Sequence, residues 1–141
     1  MTNMAPFDYE IVARVPSVDD YVRLRRVTKL GERSPEAAAM GLPNTWFGLV
    51  VKHGEEVIGM GRVIGDGGCF FQITDIAVDP RHQGRGLGKA IMSALMEHLR
   101  AHAPKSAYVS LIADGDACHL YAQFGFEPTA PRSIGMALRI G

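Results

Sequence analysis

The chain opens with a short alternation of apolar and acidic residues, Phe7–Asp8–Tyr9–Glu10–Ile11. It predicts a half-buried strand ending near Pro16. Ser17 then stands as a helix cap with Asp20 at the third helical position, so a helix is predicted from Val18 to about Leu30, stopped by Gly31. Ser34–Pro35–Glu36 starts a second, short helix: a cap, a proline in the first turn and an acid at the positive end of the dipole. Gly41 closes it. From Thr45 the period shortens to two. Trp46–Val51 and Val57–Ile64 are β-rich runs joined by His53–Gly54–Glu55–Glu56. After Gly65–Asp66–Gly67–Gly68, Cys69–Val78 forms a third run, ended by Asp79–Pro80. These runs predict three antiparallel strands in a meander.

Helical spacing then returns. Leu87, Ile91, Leu95 and Leu99 follow a segment rich in glycine and arginine, Arg81–Gly88, and Pro104 stops the helix. Ala107–Ala113 is a further apolar strand one helical crossover from Val78, hence its parallel neighbour in a right-handed β-α-β unit. Asp114 or Asp116 caps a last helix reaching Phe124, with Gly125 as its stop. Two short strands, around Phe126 and over Ser133–Ile140, complete the pattern. The sum is an α/β domain with a mixed, mostly antiparallel central sheet flanked by helices.

Length and charge narrow the class. The 141 residues suit a single domain over 1–141, with a core large enough to need neither metal nor disulfide. Lys plus Arg and Asp plus Glu number 15 each, so no global field draws nucleic acid or an acidic membrane. No apolar run approaches the ~18 residues of a membrane span. Met1–Tyr9 lacks the pattern of a secretory leader. Cys69 and Cys118 fit no zinc pattern and read as reduced thiols, buried apolar fillers of a cytoplasmic protein.

The candidate chemistry lies in Asp79–Pro80–Arg81–His82–Gln83–Gly84–Arg85–Gly86–Leu87–Gly88–Lys89. A strand ends, a glycine turn follows and an amphipathic helix begins. Free backbone N–H groups and a positive dipole end are thereby presented to an anion, with Arg81, Arg85 and Lys89 adding charge. A plain strand-to-helix turn needs glycine too, but not three of them at alternate positions with Arg85 between the first two. A Walker loop would need glycine where Gln83 stands and Ser or Thr where Ala90 stands; the glycine spacing is also wrong for a Rossmann fingerprint.

The run Gln83–Gly84–Arg85–Gly86–Leu87–Gly88 resembles the Q/R-x-x-G-x-G/A motif of the GNAT superfamily of N-acetyltransferases. Ile73–Pro80 is similar to that family's fourth strand, and Leu120–Phe126 to its LYxxxGF segment. The likeness covers about Thr45 to Phe126. It implies acetyl-CoA as co-substrate, no metal, a small-molecule amine as acceptor by direct attack, and a homodimer as a frequent state. It further implies that the loop amides from Gln83 through Gly84, Arg85, Gly86, Leu87 and Gly88 to Lys89 hold the pyrophosphate. The pantetheine arm would pair with Ile76, Ala77 and Val78, where the fourth and fifth strands splay apart. Tyr121 would protonate the leaving thiolate; from its residue type alone it reads first as a core tyrosine, and the resemblance reverses that order. Asp114 stands at a family asparagine position, which counts it with the cofactor-binding residues, and keeps the helix-capping part of that role.

The base positions of the family hold Gln72 and Thr74, neither of them a base, so ordered water is expected to remove the amine proton. Asp75 points to the other face by simple alternation, unless a bulge re-aims it. Arg25, Arg33, Asn44 and Trp46 are candidate liners for the acceptor, and Trp46 and Phe47 are expected on alternate faces. An acyl-CoA sensor without turnover, or an enzyme acting on protein amines, remains an alternative from sequence.

Overall fold

Alternation turns into pairing between residues 10 and 110. The computed structural model describes residues 8–141, so the expected start of the first strand at Phe7 lies outside the described residues. The elements are β1 (Glu10–Val12), α1 (Val18–Val27), α2 (Pro35–Gly41), β2 (Phe47–His53), β3 (Glu56–Gly65), β4 (Phe70–Val78), α3 (Leu87–His102), β5 (Tyr108–Ser110) and α4 (Ala117–Ala122). The sheet runs β1-β2-β3-β4-β5; its first four strands are antiparallel and β5 lies parallel to β4. The meander and the crossover follow the sequence pattern.

Helix α1 is shorter than its pattern. Ser17 caps it as expected, accepting the Asp20 N–H at 3.1 Å. The Thr28 hydroxyl bonds the Leu24 carbonyl at 2.6 Å, and the Arg25 side chain takes the carbonyls of Leu30 and Gly31 at 2.7 and 2.8 Å. Those carbonyls are thus satisfied without further helical turns.

Both faces of the sheet are covered. On one, Tyr21, Leu24, Ala38 and Leu42 of the first two helices and the turn after them pack with Val50, Val57, Met60 and Ala77. On the other lies α3, whose Leu87, Ile91, Leu95 and Leu99 are buried at the predicted spacing. Gly61 permits this approach: a Cβ there would stand 2.6 Å from Ile91 Cγ2 and 3.1 Å from Leu95 Cδ1. A side chain would push helix and sheet apart.

Strand β4 carries one extra residue. Met60 pairs with Ala77 and Arg62 with Thr74, so Gly61 faces both Asp75 and Ile76. Asp75 adopts φ +59°, in the left-handed region. This is a β-bulge, and it turns Thr74 and Asp75 to the same face of the sheet. Simple alternation is overruled there.

The described residues up to Leu111 form one compact unit and those from Ile112 a second. Within the second, α4 is present, but the two expected strands are not formed among the described residues. Pro128 and Pro131 lack an N–H, and the Ser133 N–H closes a turn on the Thr129 carbonyl at 3.0 Å. Ile134, Met136, Leu138 and Ile140 do alternate, yet each is at least 69% exposed. Alternation specifies a strand only where an adjacent strand supplies hydrogen bonds.

Candidate active site

The pairing of β4 with β5 ends at Gln72–Ser110. From Ile73 to Val78, therefore, β4 has a strand neighbour on the β3 side alone. A strand edge of this kind holds N–H and C=O groups that need partners. Ile76, Ala77 and Val78 all lie on it.

The chain leaves β4 through a tightly held corner. The Asp79 N–H donates to the Ile58 carbonyl at 2.7 Å. The buried Asp79 carboxylate accepts the Arg81 N–H at 3.0 Å and its guanidinium at 3.0 and 3.1 Å. These bonds hold the Asp79 carboxyl below its ordinary range. Arg81 also binds Glu56 at 2.8 Å, so its charge is spent within the corner. The sequence had assigned it to the ligand; in the structure it braces the turn. Gln83 folds back, its amide nitrogen donating to the Val78 carbonyl at 2.9 Å.

Beyond the corner the backbone opens. Gly84 and Gly86 have φ +77° and +79°, and a Cβ on either would meet nothing within 4 Å. Glycine serves the backbone conformation here, and the space beside it is free. Gly86 is the N-cap of α3 and no side chain caps that end. The first helical bond runs from the Ala90 N–H to the Gly86 carbonyl at 3.0 Å, so the N–H groups of Leu87, Gly88 and Lys89 precede any helical acceptor. Arg85 and Lys89 are exposed, and no acid stands between Gln83 and Lys89. Donors, dipole and charge fit a pyrophosphate.

In the second unit, Tyr121 lies on α4, and burial, with the nearby charge of Asp114, raises its hydroxyl pKa. Neither aspartate caps that helix through its side chain. Asp116 takes the N-cap position without a side-chain bond, and Asp114 contributes its carbonyl, accepting the Ala117 N–H at 3.0 Å.

The acceptor candidates divide. Arg25 is buried and bound to Asp75, Leu30 and Gly31, so it is a structural residue and lines no pocket. Arg33 and Asn44 are exposed and bond nearby carbonyls of Glu32 and Met40. Trp46 and Phe47 do not split between faces. Trp46 precedes β2, where alternation has no hold, and both rings pack on His98, at 5.2 and 3.7 Å. Burial, then the neighbouring His102, lowers the pKa of His98. Cys69 and Cys118 are free and exposed, against the expectation of buried fillers.

Sequence reasoning missed one cluster. Asp75 is 8% exposed and salt-bridged to Arg25 and to Arg62, the latter at 2.8 Å, and it accepts the Tyr21 hydroxyl at 3.0 Å. The signal was an acid inside the apolar run Ile73–Val78, which burial forces to find partners.

A mixed sheet whose parallel pair parts beside a glycine turn and an uncapped helix start is the architecture of an acyltransferase. Residues 18–126 match the acetyltransferase (GNAT) family, and the chain belongs to that family. The crystal structure of a probable acetyltransferase of unknown function from meticillin-resistant Staphylococcus aureus superposes with TM-score 0.89 at 43% identity, covering 94% of this chain and 99% of that one. A chloroplastic GCN5-related N-acetyltransferase 2 from Arabidopsis thaliana is 37% identical over 82 residues, 58% of this chain and 31% of its own. Spermine/spermidine N(1)-acetyltransferase from Bacillus subtilis is 40% identical over 52 residues, 36% of this chain and 34% of its own. The chain thus spans about a third of the length of these two curated relatives.

Proposed function

We propose that this domain transfers the acetyl group of acetyl-CoA to a primary amine of a small molecule by direct attack. One observation carries the reading: the edge of β4 from Ile73 to Val78 runs unpaired into a corner that ends on the uncapped N-terminus of α3. An extended arm ending in a pyrophosphate matches that path, with amide-forming groups for the strand and phosphates for the helix. The loop amides from Gln83 to Lys89 bind the pyrophosphate, Ile76 to Val78 pair with the arm, and an amide of this stretch polarises the thioester carbonyl. Tyr121, a phenol at neutral pH whose pKa burial raises further, donates its proton to the departing thiolate.

Ordered water removes the amine proton. Gln72 and Thr74 are not bases, and Asp75, the one acid of β4, is committed to two arginines. The same fact favours a second reading, an acyl-CoA sensor that binds without turnover. Thiol release from acetyl-CoA across a panel of polyamines, amino acids and lysine peptides separates the two. Release with a small amine supports the enzyme, release with peptides alone assigns protein amines, and binding without release assigns the sensor. Exposed free cysteines at 69 and 118 suit the reducing conditions of a cytoplasm.

A further inference from the structure

We propose that Asp75 is a positioning residue for the reaction: gripped by Arg25, Arg62 and Tyr21, it holds the left-handed bulge of β4 that aims the Ile76–Val78 amides at the thioester carbonyl. The inference rests on the acetyltransferase reading. A left-handed aspartate inside a strand is locally unfavourable, so the surroundings must hold it in place. Here they do so with three side chains from two elements, α1 and β3. Arg25 reaches Asp75 from α1 while its other nitrogens bind the Leu30 and Gly31 carbonyls. Arg62 reaches it from β3 at 2.8 Å and also binds the Thr45 hydroxyl at 2.8 Å and the Gly41 carbonyl at 3.4 Å. Tyr21 donates to it at 3.0 Å, with the Arg62 guanidinium 5.6 Å from its ring centroid.

The cluster therefore ties the segments before and after α2 to the same residue of β4. Stability alone does not call for such a device, because buried ion triads are commonly replaced by apolar side chains without loss. What apolar packing does not supply is a fixed left-handed residue at this point of the strand. The bulge lies within the edge of β4 that β5 leaves open, immediately before Ile76–Val78, so its conformation sets where those amides point.

The test needs no acceptor. Backbone amide signals are followed by NMR in wild type and in Asp75→Asn, which keeps the size and left-handed tolerance of aspartate but removes its charge. Each protein is titrated with acetyl-CoA and with CoA, which lacks the acyl carbonyl. In wild type, acetyl-CoA is expected to move the Ile76–Val78 amides further than CoA does. In Asp75→Asn that excess is lost, while the Gly84–Lys89 amides respond to both ligands as in wild type. An excess that survives in Asp75→Asn overturns the proposal. Should that variant not fold, Tyr21→Phe removes a single bond to Asp75 and is expected to shrink the excess; an unchanged excess overturns the proposal there too. Silence of the Gly84–Lys89 amides in wild type instead rejects the acetyltransferase reading, and the positioning role falls with it.

Discussion

Tyr121 is a phenol at neutral pH, as any tyrosine is, and burial and then the charge of Asp114 disfavour its phenolate further. A proton donor is of use only in the transition state, where the thiolate departs. Tyr121→Phe is expected to lower kcat by roughly ten- to a thousandfold with the acetyl-CoA Kd unchanged. A thioester with a more acidic leaving thiol should recover part of the loss, and steady-state kinetics beside calorimetry read both effects. Asp79 makes a different prediction. Its folded pKa is depressed, chiefly by the bonds from Arg81, so it stabilises the fold above the unfolded value of about 3.9. That contribution is lost as pH falls through the lower, folded value. Urea midpoints measured from pH 7 down should drop more steeply for wild type than for Asp79→Asn in that acid window. Single residues of this kind were partly legible. The glycines of the turn, found with positive φ at Gly84 and Gly86, can be read in order along the chain. The grip on Asp75 cannot, because its partners Arg25 and Tyr21 lie 50 and 54 positions away and meet it only after folding.

At the scale of elements, the proposed pyrophosphate site is the start of α3 and the glycine turn before it. Gly86→Asp places a carboxylate where phosphate is to bind, and a side chain where φ is +79°. CoA binding by calorimetry is expected to disappear, while circular dichroism still reports a folded domain. Helix α3, the meander and the parallel unit were all legible, since each has a strong period and a clear stop. The end of α1 was not, because Arg25 satisfies the carbonyls beyond Thr28 from a side chain no periodicity reports. The bulge was equally hidden. A one-residue slip leaves the composition of β4 unchanged and alters only which face each residue meets.

For the whole molecule, equal numbers of acidic and basic residues leave the recognition of an anion to a local arrangement. Specificity should show in stability. Acetyl-CoA at about a hundred times its Kd adds about 2.7 kcal/mol by mass action, and thermal melts should rise accordingly. ATP and NAD at the same concentration should raise Tm much less; a larger shift with either would contradict the acetyltransferase reading. Family membership was legible from three motifs in order. The strands expected after Phe126 were not realised, because an alternating segment says nothing of what lies beside it.

The corner after β4 has one more consequence. Asp79 is bonded to Ile58, Gln83 to Val78, and the bulge is fixed at Asp75, so both ends of a short stretch of strand are pinned. With a rise of about 3.3 Å per residue, that stretch is a ruler of set length. On the proposed function, phosphates seated at one end would place the acyl carbon at one graduation only. A cofactor analogue shortened by one amide unit of its arm keeps every chemical group needed for transfer, yet it would bring its thioester up short of the mark. On this reading the enzyme recognises its donor by length as well as by charge.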